Sequence, residues 1–169
     1  AGSPAPFVSL DLLDRAACGA KLAGLPDITH VFYAAYLEKP TFAEEVEPNL
    51  AMLRNLVEAL EAHSGALRHV CLVHGTKAYG THYGAYKTPA RESDPRHIGT
   101  IWYYAQEDYI RERSRGKVWS WSILRPRTIY GWSLNSPLNL LTNIAAAAIG
   151  FGMMAQSIVL PMLLRLPEA

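Results

Sequence analysis

The stretch IWYYAQED, residues 101–108, places a tyrosine, Tyr104, near the start of a helical pattern, and the loop HGTKAYG, residues 74–80, carries a lysine, Lys77. A phenol has an ordinary pKa of about 10 and is a poor acid at neutral pH. A neighbouring ammonium lowers that pKa and stabilises the phenolate. Such a pair can hold a substrate oxygen on which negative charge gathers, as happens when hydride is delivered to a substrate. Singly, a helical tyrosine is usually packing and a loop lysine is usually solvated. The pair carries the argument, because the elements around it bring both residues to one edge.

Those elements read as follows. Phe7 to Leu12 (FVSLDL) is β-rich, and Asp14 caps a short helix running through Lys21 and Leu22 to a stop at Gly24 and Pro26. Thr29 to Tyr36 (THVFYAAY) is a near-continuous apolar run, which predicts a strand buried on both faces. Thr41 to His63 is the clearest helix, with Leu50, Leu53, Leu56, Val57 and Leu60 on one stripe and Glu47, Arg54, Glu58 and Glu61 off it. Pro48 suits an early helical position. Arg68 to Val73 is a second buried strand, His82 to Thr100 a polar loop, Ile101 to Ser114 a helix closed by Gly116, and Val118 to Leu124 a third strand.

Alternating strands and helices predict an α/β fold, a Rossmann-like doubly wound parallel sheet. Ligands of such sheets bind beyond the carboxyl ends of the strands, so the loops after Tyr36, Val73 and Tyr130 form the functional edge. His74, Lys77 and Tyr79 fall there. A dinucleotide fold also needs a glycine-rich turn between its first strand and helix, where backbone amides approach the pyrophosphate. The sequence holds no GxGxxG or GxxGxxG. The expectation is therefore an incomplete sheet, with the first strand–helix–strand unit missing. Residues 1–142 are read as a partial dinucleotide-binding domain, and residues 143–169 as an apolar helix and the start of a truncated substrate-binding region.

Composition narrows the classes. Half of the 169 residues are hydrophobic, 18% are charged and the formal net charge is +1. Lys and Arg are scattered, which argues against a nucleic-acid partner. Cys18 and Cys71 have no metal spacing and read as reduced thiols of a cytoplasmic protein; the six histidines give no metal pattern either. No signal-peptide pattern opens the chain. The run from Asn143 to Leu164 reads as a buried helix and a following segment, because Gln156, Ser157 and Pro161 interrupt it; a membrane span is the second reading. Tyr79, Tyr83 and Tyr86 either line a pocket or pack their loop. Trp119 and Trp121 alternate on a strand and read as packing. His74 is either a ligand contact or a hydrogen-bonder at the strand end. No Gly-x-Ser-x-Gly elbow points to a hydrolase.

Several motifs together resemble the extended short-chain dehydrogenases. They are NLAMLRNLVEAL (Asn49 to Leu60), HGTKAYG (His74 to Gly80) and ILRPRTIYG (Ile123 to Gly131). THVFYAAY, GTKAYG and WYYAQED narrow the resemblance to the progesterone 5β-reductase/iridoid synthase (PRISE) family, over about residues 7 to 143. The wider superfamily uses Tyr-x-x-x-Lys on one helix face, but the residue four after Tyr104 is Asp108. In the resembled family the lysine comes from the Gly-x-Lys loop, here Lys77, and the second tyrosine of the pair, Tyr104 rather than Tyr103, is the catalytic one.

The resemblance implies an oxidoreductase that reduces the activated C=C bond of enones and enals with NADPH. It implies cofactor contacts at Asp11, Leu12, Ala35, Val73, Lys77, Tyr104 and Ile129, and at Ser136, Pro137 and Leu138 over the phosphates. A small-molecule substrate is the expected partner, and a homodimer is compatible. Val73, His74, Ile101 and Trp102 stand where family members carry Gln, Thr, Asn and Phe, which bears on the substrate more than on the reaction. The rival readings are an NAD-dependent epimerase/dehydratase or ketone reductase of the same superfamily, and a non-catalytic nucleotide-sensing protein.

Overall fold

A computed structural model describes residues 7–25 and 27–127. Three parallel strands, β1 (His30–Tyr33), β2 (His69–Val73) and β3 (Ser120–Leu124), lie in the order β1-β2-β3. His30 stands opposite His69, and His69 opposite Ser120. Helices α1 (Arg15–Leu22), α2 (Phe42–His63) and α3 (Trp102–Arg113) accompany them, with a 3-10 turn at Thr76–Tyr79. Each crossover from strand to parallel strand passes through one helix, as a Rossmann-type sheet requires.

Register explains the layering. Val31 and Tyr33, Val70 and Leu72, and Trp121 and Ile123 are matched across the strands and share one face. That face meets Cys18 and Leu22 of α1, Leu53, Val57 and Leu60 of α2 and Ile110 of α3 in one apolar core. The helices pack side by side with α2 in the middle. The opposite face carries His69, whose ring nitrogens lie 2.8 and 2.9 Å from the hydroxyls of Ser120 and Ser122.

Three expectations need correction. FVSLDL forms no strand; Phe7 is 85% exposed, and no described strand lies beside it to complete a backbone ladder. The strand expected over Thr29 to Tyr36 spans only His30–Tyr33, and it is not buried on both faces: His30 is exposed and Phe32 is 74% exposed. Beyond it the backbone of Leu37 bonds to a side chain of α2 rather than to a neighbouring strand. Pro48 lies in the second turn of α2, not the first, so it removes the amide that would donate to the Glu44 carbonyl. Only β2 meets the buried-strand expectation, with Val70, Cys71 and Leu72 all buried.

The helix ends follow local chemistry. The Asp14 carboxylate accepts from the Ala17 amide at 2.9 Å, and the Thr41 hydroxyl accepts from the Glu44 amide at 3.3 Å. Gly116, at φ +70°, turns the chain from α3 toward β3, a backbone region that disfavours residues with a Cβ. Cys18 and Cys71 are buried and unbridged. Among the described residues no helix is long and apolar enough to cross a membrane. The apolar run at 143–164 and the boundary expected at residue 142 lie outside the described residues.

Candidate functional site

The carboxyl ends of β1, β2 and β3 open onto one edge, where the segment after Tyr33, the loop from His74 and the chain at Arg125 leave the sheet. The first turn of α3 faces it with Trp102, Tyr103 and Tyr104. The Ile101 cap contributes no side-chain bond to that helix. The start of α3 is held instead by rings: Tyr36 stacks on Trp102 at 5.5 Å and 21°, and the His74 ring lies parallel to Tyr103 at 4.3 Å and 7°.

Tyr104 is half-buried. Its O–H donates to the Ala78 carbonyl at 2.8 Å, and its oxygen accepts from the His97 amide at 3.2 Å. The guanidinium of Arg96 lies 4.8 Å from the centre of the phenol ring. Burial pushes the phenol above its ordinary pKa, while the His97 amide and the Arg96 and Arg125 guanidiniums pull it back; the Glu107 carboxylate adds to the rise. A cleft of about 320 Å³ opens beside it, with Tyr79, Arg96, Glu107 and Arg125 in its wall.

Lys77 occupies the 3-10 turn one residue before Ala78, so the backbone of that turn meets the Tyr104 hydroxyl. Its ammonium lies 5.0 Å from the centre of the Phe42 ring. The structure thus brings Lys77 and Tyr104 to the same edge, while the guanidinium lying over the phenol belongs to Arg96. Arg96 is itself held in a fork by Asp108, at 2.9 and 2.7 Å. That is the residue standing where the wider superfamily has its lysine. Arg96 and His97 went unnoticed in the sequence because they sit in a polar loop without periodicity. The signal available was Asp108 itself, a carboxylate one turn from Tyr104 that calls for a cation.

His74 is 6% exposed. Gln106 donates through Nε2 to the Asn49 carbonyl at 2.7 Å, which turns its Oε1 toward His74. His74 Nε2, 3.1 Å from that oxygen, therefore carries the proton. Burial, with the Arg125 charge assisting, holds the imidazole down to about 4, so it is neutral at physiological pH. A depressed histidine pKa means that the unfolded chain binds more protons than the folded one between about 6.5 and about 4. Stability from this group is complete above pH 6.5 and is lost as pH falls through that window, by up to about 3 kcal/mol. The expected result is that His74→Gln unfolds with a flatter pH dependence than the parent over pH 4–6.5 in denaturant titrations. Parallel curves would remove His74 from the account.

The remaining expected cofactor positions divide into two groups. Asp11 accepts the Leu13 amide at 2.9 Å in a tight turn, Leu12 packs against the core, and Asn55 of α2 holds the Leu12 carbonyl at 2.9 Å. Ala35 packs against the core just beyond β1, and Val73 ends β2 opposite Leu124. Ile129, Ser136, Pro137 and Leu138 lie outside the described residues. Of the tyrosine cluster, Tyr79 meets Arg125, whose guanidinium is 5.3 Å from its ring centre, and Tyr83 lies tilted against His82 at 4.1 Å. Trp119 is buried, and its indole donates to Glu61 at 3.1 Å.

Fold and edge together define a Rossmann-type domain with its candidate site at the carboxyl ends of the strands. A family model described as a PRISE-like Rossmann-fold domain matches residues 11–153, and the chain belongs to that family. It is 36% identical over 151 residues to an (S)-8-oxocitronellyl enol synthase of Nepeta cataria, covering 86% of this chain and 39% of that protein. It is 34% identical over 154 residues to the 3-oxo-Δ(4,5)-steroid 5-β-reductase of Arabidopsis thaliana, covering 88% and 40%. The chain thus spans about two fifths of the length of these relatives. Among solved structures, RMD from Pseudomonas aeruginosa complexed with NADPH superposes with a TM-score of 0.64 at 22% identity, over 92% of this chain and 52% of that one; this likeness concerns the fold alone.

Proposed function

We propose that the intact protein is an NADPH-dependent reductase of the activated C=C bond in small α,β-unsaturated carbonyl compounds. The observation that carries this reading is the Tyr104 phenol at the carboxyl edge of the sheet, held by the His97 amide and the Ala78 carbonyl under the Arg96 guanidinium. Two relatives whose names denote an enol synthase and a steroid 5-β-reductase support the reaction class.

NADPH supplies hydride when bound. The residues of this edge suit its nicotinamide end. The exposed Lys77 ammonium rests over a ring face, where its N–H donors can turn to ribose hydroxyls. Asp11, and Leu12 held to α2 through Asn55, suit the adenine side. Conjugation carries charge to the carbonyl oxygen of the substrate once its β-carbon is reduced. Tyr104 turns its O–H from the Ala78 carbonyl to that oxygen and stabilises the developing enolate. Val73, His74, Ile101 and Trp102, which differ from the residues typical of the family, shape the substrate's surroundings.

NADPH consumption with cyclohexenone, set beside chromatographic analysis of a UDP-sugar incubated with the protein and NAD, tests the proposal. Oxidation with the enone alone is expected. Conversion of the UDP-sugar would make the protein an epimerase-type enzyme, and cofactor binding with no turnover of either would make it a nucleotide sensor.

A further inference from the structure

We infer that Arg96 and His97 form the cradle that makes Tyr104 a usable acid, the guanidinium through the face of the ring and the amide through the phenolic oxygen. The inference deepens the reading above and rests on it for the step that Tyr104 performs. Three contacts from two consecutive residues converge on one side chain. The Arg96 guanidinium lies 4.8 Å from the ring centre, the His97 N–H donates to the phenolic oxygen at 3.2 Å, and the His97 ring lies 5.2 Å from the phenol ring. A cation over an aromatic face is attracted to the neutral ring, and more strongly to the ring once it bears charge. An amide aimed at the oxygen bonds more strongly to the charged phenolate than to the neutral phenol.

The cradle is itself held rigid. Asp108 grips Arg96 in a two-point fork, and the buried Glu107 carboxylate lies 3.5 Å from the same guanidinium. The Gly99 amide donates to His97 Nδ1 at 2.9 Å, which leaves the proton on Nε2, and Nε2 donates to the Lys77 carbonyl at 3.1 Å. One imidazole thereby fastens the loop to the turn that carries Lys77 and Ala78. The charged groups around the phenol are Arg96 from the loop, Glu107 and Asp108 from α3 and Arg125 from the end of β3, with the His97 imidazole as the neighbouring titratable ring. In the step itself the Tyr104 O–H bond breaks, its electron pair stays on the phenolic oxygen, and the proton passes to the substrate's enolate oxygen. The phenolate left behind is what the cradle stabilises until a solvent proton restores it. Arg96 touches neither substrate nor cofactor in this account and is a positioning residue.

The test places 3-fluorotyrosine at position 104 of the intact protein and follows its ionisation by fluorine NMR, which reads the phenol without any turnover. Arg96→Gln is expected to move the ionisation midpoint upward, and Arg96→Lys, which keeps the charge but not the two-point fork, to leave it near the parent. The same Arg96→Gln change in the tyrosine protein should lower kcat by about tenfold with little change in KM for the enone. An unmoved midpoint in Arg96→Gln overturns the inference. So does a midpoint in Arg96→Lys that moves as far as in Arg96→Gln, because the fork rather than the charge would then be responsible. If the midpoint moves as expected while no enone is reduced, the cradle stands and the proposed reaction falls.

Discussion

Tyr104→Phe in the intact protein is expected to lower kcat for enone reduction by about 10²–10³-fold, equivalent to about 3–4 kcal/mol of transition-state stabilisation. The change removes one oxygen and keeps the ring, so the contact with Arg96 and the packing against His97 persist. What is lost is the group that turns from the Ala78 carbonyl to the substrate oxygen. The Ala78 carbonyl and the His97 amide are left without that partner, but the site is half open and water can take its place. NADPH affinity should therefore stay close to the parent value, and fluorescence titration of the cofactor measures it separately from the rate. Tyr103→Phe is the matched comparison. Its hydroxyl lies against Gly75, where even an added Cβ would come within 3.1 Å, and burial pushes it above its ordinary pKa. Its loss should cost far less rate. An unaltered kcat in Tyr104→Phe, or an equal loss in both variants, would end the assignment of Tyr104.

The order of elements was legible in the sequence because it rests on periodicity. The stripe through Leu53, Val57 and Leu60 and the run at Val70 to Leu72 are also where the core lies. What failed was the inference from apolar content to burial on both faces. THVFYAAY and RHVCLV are both nearly continuous apolar runs, yet β2 has a strand on either side and β1 has one on a single side in the described sheet. Position in a sheet is a tertiary property, and the same residues read alike in both places. FVSLDL failed for a related reason, since β propensity without a neighbouring ladder does not make a strand.

At the site, residue types were more legible than their electrostatics. Tyr104 and the loop with Lys77 were expected on one edge, and the topology places both there. Which cation lies over the phenol was not legible, because a loop of 19 residues between Thr81 and Ile101 can return anywhere on the surface. The fork between Arg96 and Asp108 spans 12 residues and fixes that return. No pattern with a period of two or 3.6 reports such a contact. The buried His74–Gln106–Asn49 chain is illegible for the same reason: it links the end of β2 to α3 and α2 through two isolated bonds.

Asn49 shows how the edge depends on a single buried amide, and its variants should have the largest effect on stability. The side chain is fully buried. Its Oδ1 accepts from the Leu37 amide at 2.8 Å, and its Nδ2 donates to the carbonyls of Leu37 and Glu45 at 2.8 Å each. This bond set ties the segment after β1 to α2 next to Tyr36, which in turn stacks on Trp102. Asn49→Ala leaves both backbone groups of Leu37 without these partners and opens a small void, a loss of about 3 kcal/mol. Asn49→Asp keeps the shape and the bond from the Leu37 amide, but it turns an oxygen toward two carbonyl oxygens and buries a charge. At neutral pH it should be at least as unstable as the alanine variant. Its carboxyl is held above the range of the unfolded chain, so the folded state binds more protons and the penalty fades as pH falls through that raised value. Urea titrations of the three proteins at pH 7 and pH 5 measure this directly. If Asn49→Asp gains no stability relative to Asn49→Ala on acidification, the amide is not buried against those carbonyls, and the segment after β1 is held to α2 by other contacts.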